Sequence, residues 1–369
     1  MTSSLRPFRV AVPQSDLDDL NSRLEKTRWP ERDLPVPGGV PLAELRELAA
    51  YWRTGYDWRR HEARLNRFPQ FRTDIDGQEV HFLHVRSADP DALPLLLTHG
   101  WPNSFVEFAE LIDRLTGRFH VVVPSLPGFG YSAAPRTGGW TAARVARLWA
   151  ELMRRLGHDR YGVEGGDFGA YVAPEVALAD PAHVVGVYVI GGLGFPSDAD
   201  VPDLTPQEKE VYDALQSADW MHGVDHHALL RTAPATFAYG WQDSPAGALA
   251  WMLQKFHDFN ASGGPLFEAI DRDLFLTNVS LYWFTGTFGT SSWPYYDSPA
   301  GPFAWPRGQK AVPTGVYSGD APAIRRLAER HNTIAHWPTG NPGGHHFVAM
   351  DRPEAFAADL TRFFDAVNS

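Results

Sequence analysis

Asp167 lies between glycines in the stretch Val163-Glu164-Gly165-Gly166-Asp167-Phe168-Gly169-Ala170. An apolar run, Tyr161-Gly162-Val163, leads in, and a segment of helical character from Tyr171 to Leu178 leads out. Strand, sharp glycine-flanked bend and helix make the pattern of a nucleophile elbow. Small neighbours there permit a strained backbone and a close helix–strand approach. A serine commonly holds this position; here it is a carboxylate, and that changes the chemistry. A serine alkoxide attacking saturated carbon would leave a stable ether. A carboxylate leaves an ester, which water can cleave at the enzyme's own carbonyl carbon, freeing the nucleophile. The bend therefore predicts displacement at an alkyl carbon, as in an epoxide or an alkyl halide. The alternative is a glycine-rich turn whose aspartate caps the next helix.

Three further groups have the residue types that this chemistry needs. His99-Gly100-Trp101-Pro102 directly follows the apolar run Leu95-Leu96-Leu97-Thr98, where a turn can aim a backbone N–H at the nucleophile. With the N–H of Phe168, that of Trp101 would form an oxyanion hole for ester cleavage. Asp320 follows a strand-like segment ending at Tyr317, and His345-His346 follow the next one. Nucleophile, acid, histidine is the chain order of the α/β-hydrolase arrangement. A histidine near neutral pKa can take a proton from water while the acid orients it. The residues alone leave open which of the two histidines acts, and Asp320 could also cap the helix after it. No spacing makes a metal site, His81 and His84 included.

The elements around these groups alternate. Val80–Val85, Leu95–Leu97, His120–Val123 and Val184–Ile190 read as strands, separated by helical segments over Phe105–Leu115, Ala142–Leu156 and Val172–Ala179. Short apolar strands alternating with helices predict a mostly parallel, doubly wound α/β sheet. Residues 191–306 break the pattern with helical runs (Pro206–Ser217, Ala246–Phe259, Asp271–Trp283) and no intervening core strand, as expected of an inserted helical lid. Strands resume at Val312–Tyr317 and Thr333–His336, and Arg352–Val367 closes the chain as a helix. The division expected is an arm at 1–75 packing on core and lid, core at 76–190, lid at 191–306 and core again at 307–369. The arm should carry helices over Ser15–Leu24 and Leu42–Arg53, too little apolar material to stand alone.

Composition bounds the rest. The 369 residues include 13 Trp and 22 Phe, with 44% hydrophobic residues, ample for a globular core. A formal charge of −11 argues against nucleic acid and anionic membrane surfaces as partners. There are no cysteines, so no disulfide, thiolate or Cys–metal chemistry. Neither a signal core nor a membrane-spanning run is evident, so a cytoplasmic location is the expectation. The oligomeric state is left open, a homodimer included.

Several motifs together resemble the microsomal-type epoxide hydrolases over nearly the whole chain. They are Trp58-Arg59-Arg60-His61-Glu62-Ala63-Arg64-Leu65-Asn66-Arg67-Phe68-Pro69-Gln70-Phe71, His99-Gly100-Trp101-Pro102, Pro124-Ser125-Leu126-Pro127-Gly128-Phe129-Gly130, Gly165-Gly166-Asp167 and His346-Phe347-Val348-Ala349-Met350-Asp351-Arg352-Pro353. The resemblance implies an α/β-hydrolase fold with helical lid and arm, no cofactor, and a soluble, bacterial-type member acting on an epoxide and water. It implies Asp167 as nucleophile, Asp320 as charge-relay acid and His346 as base. Lid tyrosines of the family donate to the epoxide oxygen. The segment Ser291-Ser292-Trp293-Pro294-Tyr295-Tyr296 resembles the one carrying the second donor, placed at Tyr296 with Tyr295 as its alternative. The first donor's position, eight residues before Pro234, holds His226, beside His227, where the family has tyrosine. Phe168 stands where Trp is common, which weakens a haloalkane dehalogenase reading. Trp101, Phe168 and Tyr295 are candidates to touch substrate. The aromatic-rich lid favours a bulky apolar epoxide, and members in natural-product pathways share the arm. Two other readings are a non-hydrolytic enzyme in the same pocket, which the change at His226 would favour, and an inactive ligand-binding homologue.

Overall fold

The computed structural model describes residues 5–33, 38–191, 193–297, 308–319 and 322–368. Nine strands form one sheet: β1 (Arg6–Phe8), β2 (Gln70–Ile75), β3 (Gln78–Val85), β4 (Leu93–Thr98), β5 (Phe119–Pro124), β6 (Tyr161–Gly165), β7 (Val184–Val189), β8 (Pro313–Val316) and β9 (Thr333–His336). The spatial order is β1-β2-β3-β5-β4-β6-β7-β8-β9. From β5 onward every neighbouring pair is parallel, while β1, β2 and β3 join antiparallel at one edge. The parallel strands β4, β5 and β7 are short Val- and Leu-rich runs buried along nearly their whole length, whereas β9 at the far edge is largely open. The helix Ala142–Arg155 shows how sequence makes an element. Thr141 Oγ1 caps Arg144 N–H, and Val145, Leu148, Trp149 and Leu152 are buried from one face.

The register between the central strands decides where the functional turns lie. Thr98 at the end of β4 pairs with Gly165 at the end of β6. The turns after both strands therefore leave the sheet side by side, at the carboxyl ends where open α/β sheets bind ligands.

The arm does more than wrap. Its ends supply β1 and β2, and its helices Gln14–Glu25 and Leu42–Thr54 pack on lid helix Pro245–Asp258. Trp52 Nε1 donates to Ser280 Oγ at 2.9 Å, and Tyr51 hydroxyl to Asp273 at 2.8 Å, tying the arm to lid helix Arg272–Thr285. The regular elements described from Pro206–Leu215 to Trp293–Tyr296 are all helices.

One predicted helix is not continuous. Phe105–Leu115 splits into a 3-10 turn, Phe105–Phe108, and a single α-turn, Ile112–Leu115. Nearly every residue of this stretch is buried. Only Asp113 and Arg114 are exposed, too narrow a solvent face for the sequence pattern to separate one amphipathic helix from two packed turns.

Candidate active site

Asp167 sits at the bend between β6 and the helix Phe168–Ala179, with φ 52 and ψ −124. A non-glycine residue at positive φ is strained and persists only where its surroundings hold it. Close packing does so here. A Cβ on Gly169 would come within 2.0 Å of the Thr98 carbonyl oxygen, and one on Gly100 within 2.2 Å of Asp167 Cβ. Both glycines are dictated by backbone approach. The Asp167 side chain makes no N-cap hydrogen bond to its helix. Its Oδ1 instead accepts the Trp101 N–H at 2.8 Å, and its Oδ2 lies 3.1 Å from His346 Nε2. Burial pushes the carboxyl up, but His346 and the N–H groups of Trp101 and Phe168 outweigh it and hold the group below the usual aspartate value. The carboxylate is thus ionised and oriented.

The turn that carries Trp101 is braced from several sides. His99 Nδ1 lies 3.1 Å from the Gly100 carbonyl oxygen, and its Nε2 accepts the Leu126 N–H at 3.2 Å. That pairing defines a neutral ring with the proton on Nδ1, and burial lowers its pKa to about 4. From the lid, Asn278 Nδ2 donates to the Pro102 carbonyl and the Tyr282 hydroxyl to that of Asn103, both at 2.8 Å. Beneath lies Glu107, fully enclosed. Burial, and then the Asp167 charge, push its carboxyl well above the carboxylate range. Glu164, on β6, is shifted the same way by burial, and neither of its oxygens has a partner. Neutral, these two acids put no second negative charge under the nucleophile.

His346 follows β9 on a loop fastened to the lid. Its N–H donates to the Phe259 carbonyl at 2.9 Å, and its ring packs 5.1 Å from that of Phe259. Asp351 Oδ2 accepts the N–H groups of Gly344 and His345. His345 points away from the nucleophile. Its Nε2 lies 3.0 Å from the Phe256 carbonyl oxygen and its Nδ1 accepts the Phe347 N–H. Burial lowers its pKa to about 4, so it is a neutral tether between loop and lid. Asp320 lies outside the described residues.

The lid contributes a second group of rings over Trp101. His226, on helix His226–Thr232, stacks on the Trp101 indole with centroids 5.0 Å apart and planes 15° apart. Tyr295 stands edge-on to both, 5.4 Å from each. Tyr296, the expected donor, is 49% exposed and turns outward. Tyr295, its alternative in the sequence, is the tyrosine whose ring meets Trp101 and His226. One residue along a helix rotates a side chain by about 100°, and the four-residue helix Trp293–Tyr296 gave the sequence reading no periodicity to distinguish the neighbours. Asp297 fixes the rotation by accepting the N–H groups of Gly139 and Trp140. Burial, with Asp167 nearby, raises the Tyr295 hydroxyl well above its ordinary pKa, keeping it protonated. Of the other lid aromatics, Trp251 reaches Trp101 at 6.0 Å, whereas Tyr239 is 76% exposed.

These positions define a carboxylate between backbone donors and an imidazole, faced by a phenol and a second imidazole. Residues 5–108 match the family described as the epoxide hydrolase N terminus, and residues 94–227 match the alpha/beta hydrolase fold. A chain from Stigmatella aurantiaca is 42% identical over 98% of this chain and 84% of its own length. Epoxide hydrolase 1 of Sus scrofa is 30% identical over 98% of this chain and 88% of its own. This chain belongs to the epoxide hydrolase family. The crystal structure of juvenile hormone epoxide hydrolase from Bombyx mori superposes with a TM-score of 0.85 at 28% identity, covering 99% of this chain and 95% of that one. The fold is accordingly the α/β-hydrolase fold, and the epoxide hydrolase family assignment makes the chain a hydrolase. Among the described residues no helix is long and apolar enough to cross a membrane, and no group of three or more His, Cys, Asp or Glu could hold a metal.

Proposed function

We propose that this hydrolase opens an epoxide to a vicinal diol through an ester on Asp167. The observation that carries the reading is the division of labour between the two Asp167 oxygens, Oδ1 on the Trp101 N–H and Oδ2 near His346. Oδ1, held by the backbone donors, becomes the ester carbonyl oxygen. Oδ2 forms the new bond to the ring carbon as the ring C–O bond breaks. The released electron pair goes to the epoxide oxygen, which takes the Tyr295 hydroxyl proton. His346 Nε2 then removes a proton from water, and the hydroxide adds to the Asp167 carbonyl carbon. The N–H groups of Trp101 and Phe168 stabilise the resulting oxyanion. Collapse expels the diol oxygen, which recovers a proton from the His346 imidazolium. The proton left on the Asp167 carboxyl restores Tyr295 through solvent. Asp320, by its place in the chain order, is the acid that orients His346.

Trp101, Trp251 and Phe259 around these groups suit a bulky apolar epoxide, aromatic or alicyclic, and so do Phe168 and Tyr295 as its contacts. A single turnover in heavy-oxygen water tests the scheme. One label should appear in the Asp167 carboxylate and unlabelled oxygen in the diol. Label in the diol after the first turnover, with an unlabelled Asp167, would show direct attack by water and sink the ester.

A further inference from the structure

The loop that carries His346 is fastened to the end of a lid helix by its neighbour, His345. The last carbonyls of an α-helix have no partner within it. In helix Pro245–Asp258 the Lys255 and His257 carbonyls accept the N–H groups of Phe259 and Asn260, each at 3.0 Å, as the chain leaves the helix. The Phe256 carbonyl is met from outside, by His345 Nε2 at 3.0 Å. The other ring nitrogen fixes the tautomer. Nδ1 faces the Phe347 N–H at 3.1 Å and must accept it, so the ring is neutral and its proton, on Nε2, is donated to Phe256. Burial agrees, lowering the pKa to about 4. The ring is 3% exposed and packs against those of Phe256 and Phe347, with centroids 5.5 Å and 5.6 Å away.

Main-chain contacts extend the junction. His345 makes an antiparallel bridge with Asn260, and the His346 N–H donates to the Phe259 carbonyl at 2.9 Å. The two segments lie so close that a Cβ on Gly344 would come within 2.6 Å of Ser262 Cβ. On the core side, Asp351 Oδ2 accepts the N–H groups of Gly344 and His345 at 2.8 Å and 3.2 Å. The loop is therefore held from two sides just before His346, whose Nε2 lies 3.1 Å from Asp167 Oδ2. The same lid helix brings the Trp251 ring to 6.0 Å from that of Trp101, whose N–H holds Asp167 Oδ1. One helix thus touches both the residue that holds the nucleophile and the loop that bears the base.

We propose that His345 is a positioning residue for ester cleavage: by capping the lid helix at the Phe256 carbonyl, it sets where His346 stands relative to Asp167. The proposal rests on the ester mechanism above. His345 moves no proton in it. The role belongs to the second step, because an imidazole that activates water must be aligned with both the water and the ester carbonyl. Ring opening needs only the carboxylate and the phenol in place. Without the His345 ring, the Phe256 carbonyl and the Phe347 N–H would be left unpaired, and the loop would shift to find them partners. A displacement of about 1 Å at a catalytic group is enough to cost about a hundredfold.

The test follows both steps with styrene oxide in rapid-quench experiments, reading esterified enzyme by intact mass. His346→Gln is the control and should trap the ester. If no ester forms there, the ester mechanism itself fails and takes this proposal with it. Given an ester, His345→Phe should slow its hydrolysis about 10- to 100-fold and leave its formation within about twofold of wild type. Amide variants separate the two hydrogen bonds. Gln can place an N–H where Nε2 stands, and Asn an oxygen where Nδ1 stands. His345→Gln should bring hydrolysis back to within about threefold of wild type, while His345→Asn should remain as slow as His345→Phe. The reverse order would assign the effect to the bond with Phe347 and overturn the role of the lid helix. Unchanged hydrolysis in His345→Phe, or an equal loss in both steps, would overturn the positioning role. Should His345→Phe fail to fold, the comparison of the two amides still decides, since each keeps one of the two bonds.

Discussion

The phenol ring of Tyr295 meets the indole of Trp101 edge to face, with centroids 5.4 Å apart and planes at 82°. The residue whose backbone N–H holds Asp167 Oδ1 thus also supports, through its side chain, the lid tyrosine across from it. Core and lid are coupled at the proposed point of ring opening. Small errors in either would separate donor from nucleophile.

This relationship predicts opposite outcomes for two adjacent tyrosines. Tyr295→Phe should lower the rate of ring opening by about 10²- to 10⁴-fold, the range for a lost general acid. Tyr296→Phe, altering an exposed ring, should stay within about twofold of wild type. Stopped-flow measurement of epoxide consumption by the two variants checks this, and equal losses would return the donor role to Tyr296.

Gly100 allows the nucleophile no alternative neighbour. Gly100→Ala would drive a methyl into Asp167, with built contacts of 2.2 Å to Cβ and 2.3 Å to Oδ1. Either the turn or the bend must move, which separates the Trp101 N–H from the carboxylate. Activity should fall by at least about 10²-fold, as for loss of one oxyanion donor. A crystal structure of the variant should show a longer Trp101 N to Asp167 Oδ1 distance. An active variant with that hydrogen bond intact would contradict the argument.

Acid should destabilise the fold through its buried histidines. His84 Nε2 and His158 Nε2 lie 3.2 Å apart, so one donates and the other accepts. Burial first, then neighbouring positive groups, lower each pKa to about 4. The unfolded chain takes up these protons near pH 6.5. Stability is therefore full above that pH and is lost as the pH falls toward 4, at about 1.4 kcal/mol per pH unit for each histidine. His99 and His345 add to the same slope. His158→Gln should make the decline between pH 6.5 and 4.5 shallower by about one histidine's share in urea titrations. An unchanged slope would mean that the pair titrates normally.

Glu164 carries the opposite sign. Its carboxyl is neutral in the fold and pushed well up by burial, while the unfolded chain ionises it near pH 4.5. Its burial therefore opposes folding increasingly as pH rises above that value, by about 1.4 kcal/mol per pH unit until the buried group itself ionises. Glu164→Gln should raise the melting temperature at pH 8 and leave it nearly unchanged at pH 4.5. A variant less stable than wild type at pH 8 would show that the carboxylate is ionised and paired.

The bend and the turns that flank it were legible because they are local. An aspartate among glycines after an apolar run, a turn after Thr98 and a histidine before Phe347 are each written in a few adjacent residues. The alternation of apolar runs likewise specified a parallel sheet, since strands buried on both faces need apolar side chains throughout. Residues 191–306 stood out as an interruption of that alternation, and the regular elements described there are helices.

Other features depend on which atoms become neighbours in three dimensions. Tyr295 and Tyr296 are equivalent as letters; Asp297, reaching Gly139 and Trp140, sets which of them turns inward. Nothing in the letters of Glu107 and Glu164 marks them as buried; packing alone encloses them and pushes their carboxyls up. The residues left open whether His345 or His346 acts, and the His345 ring nitrogens prove to be engaged with main-chain partners. The strands Arg6–Phe8, at the sheet edge, and Gln70–Ile75, beside it, are too short and too mixed in polarity to announce themselves. By itself the sequence determined the kind of bond that Asp167 can form, since that follows from covalent structure. Tertiary structure alone decided which side chains face it and which protons they keep, since distance and burial set hydrogen bonding and pKa.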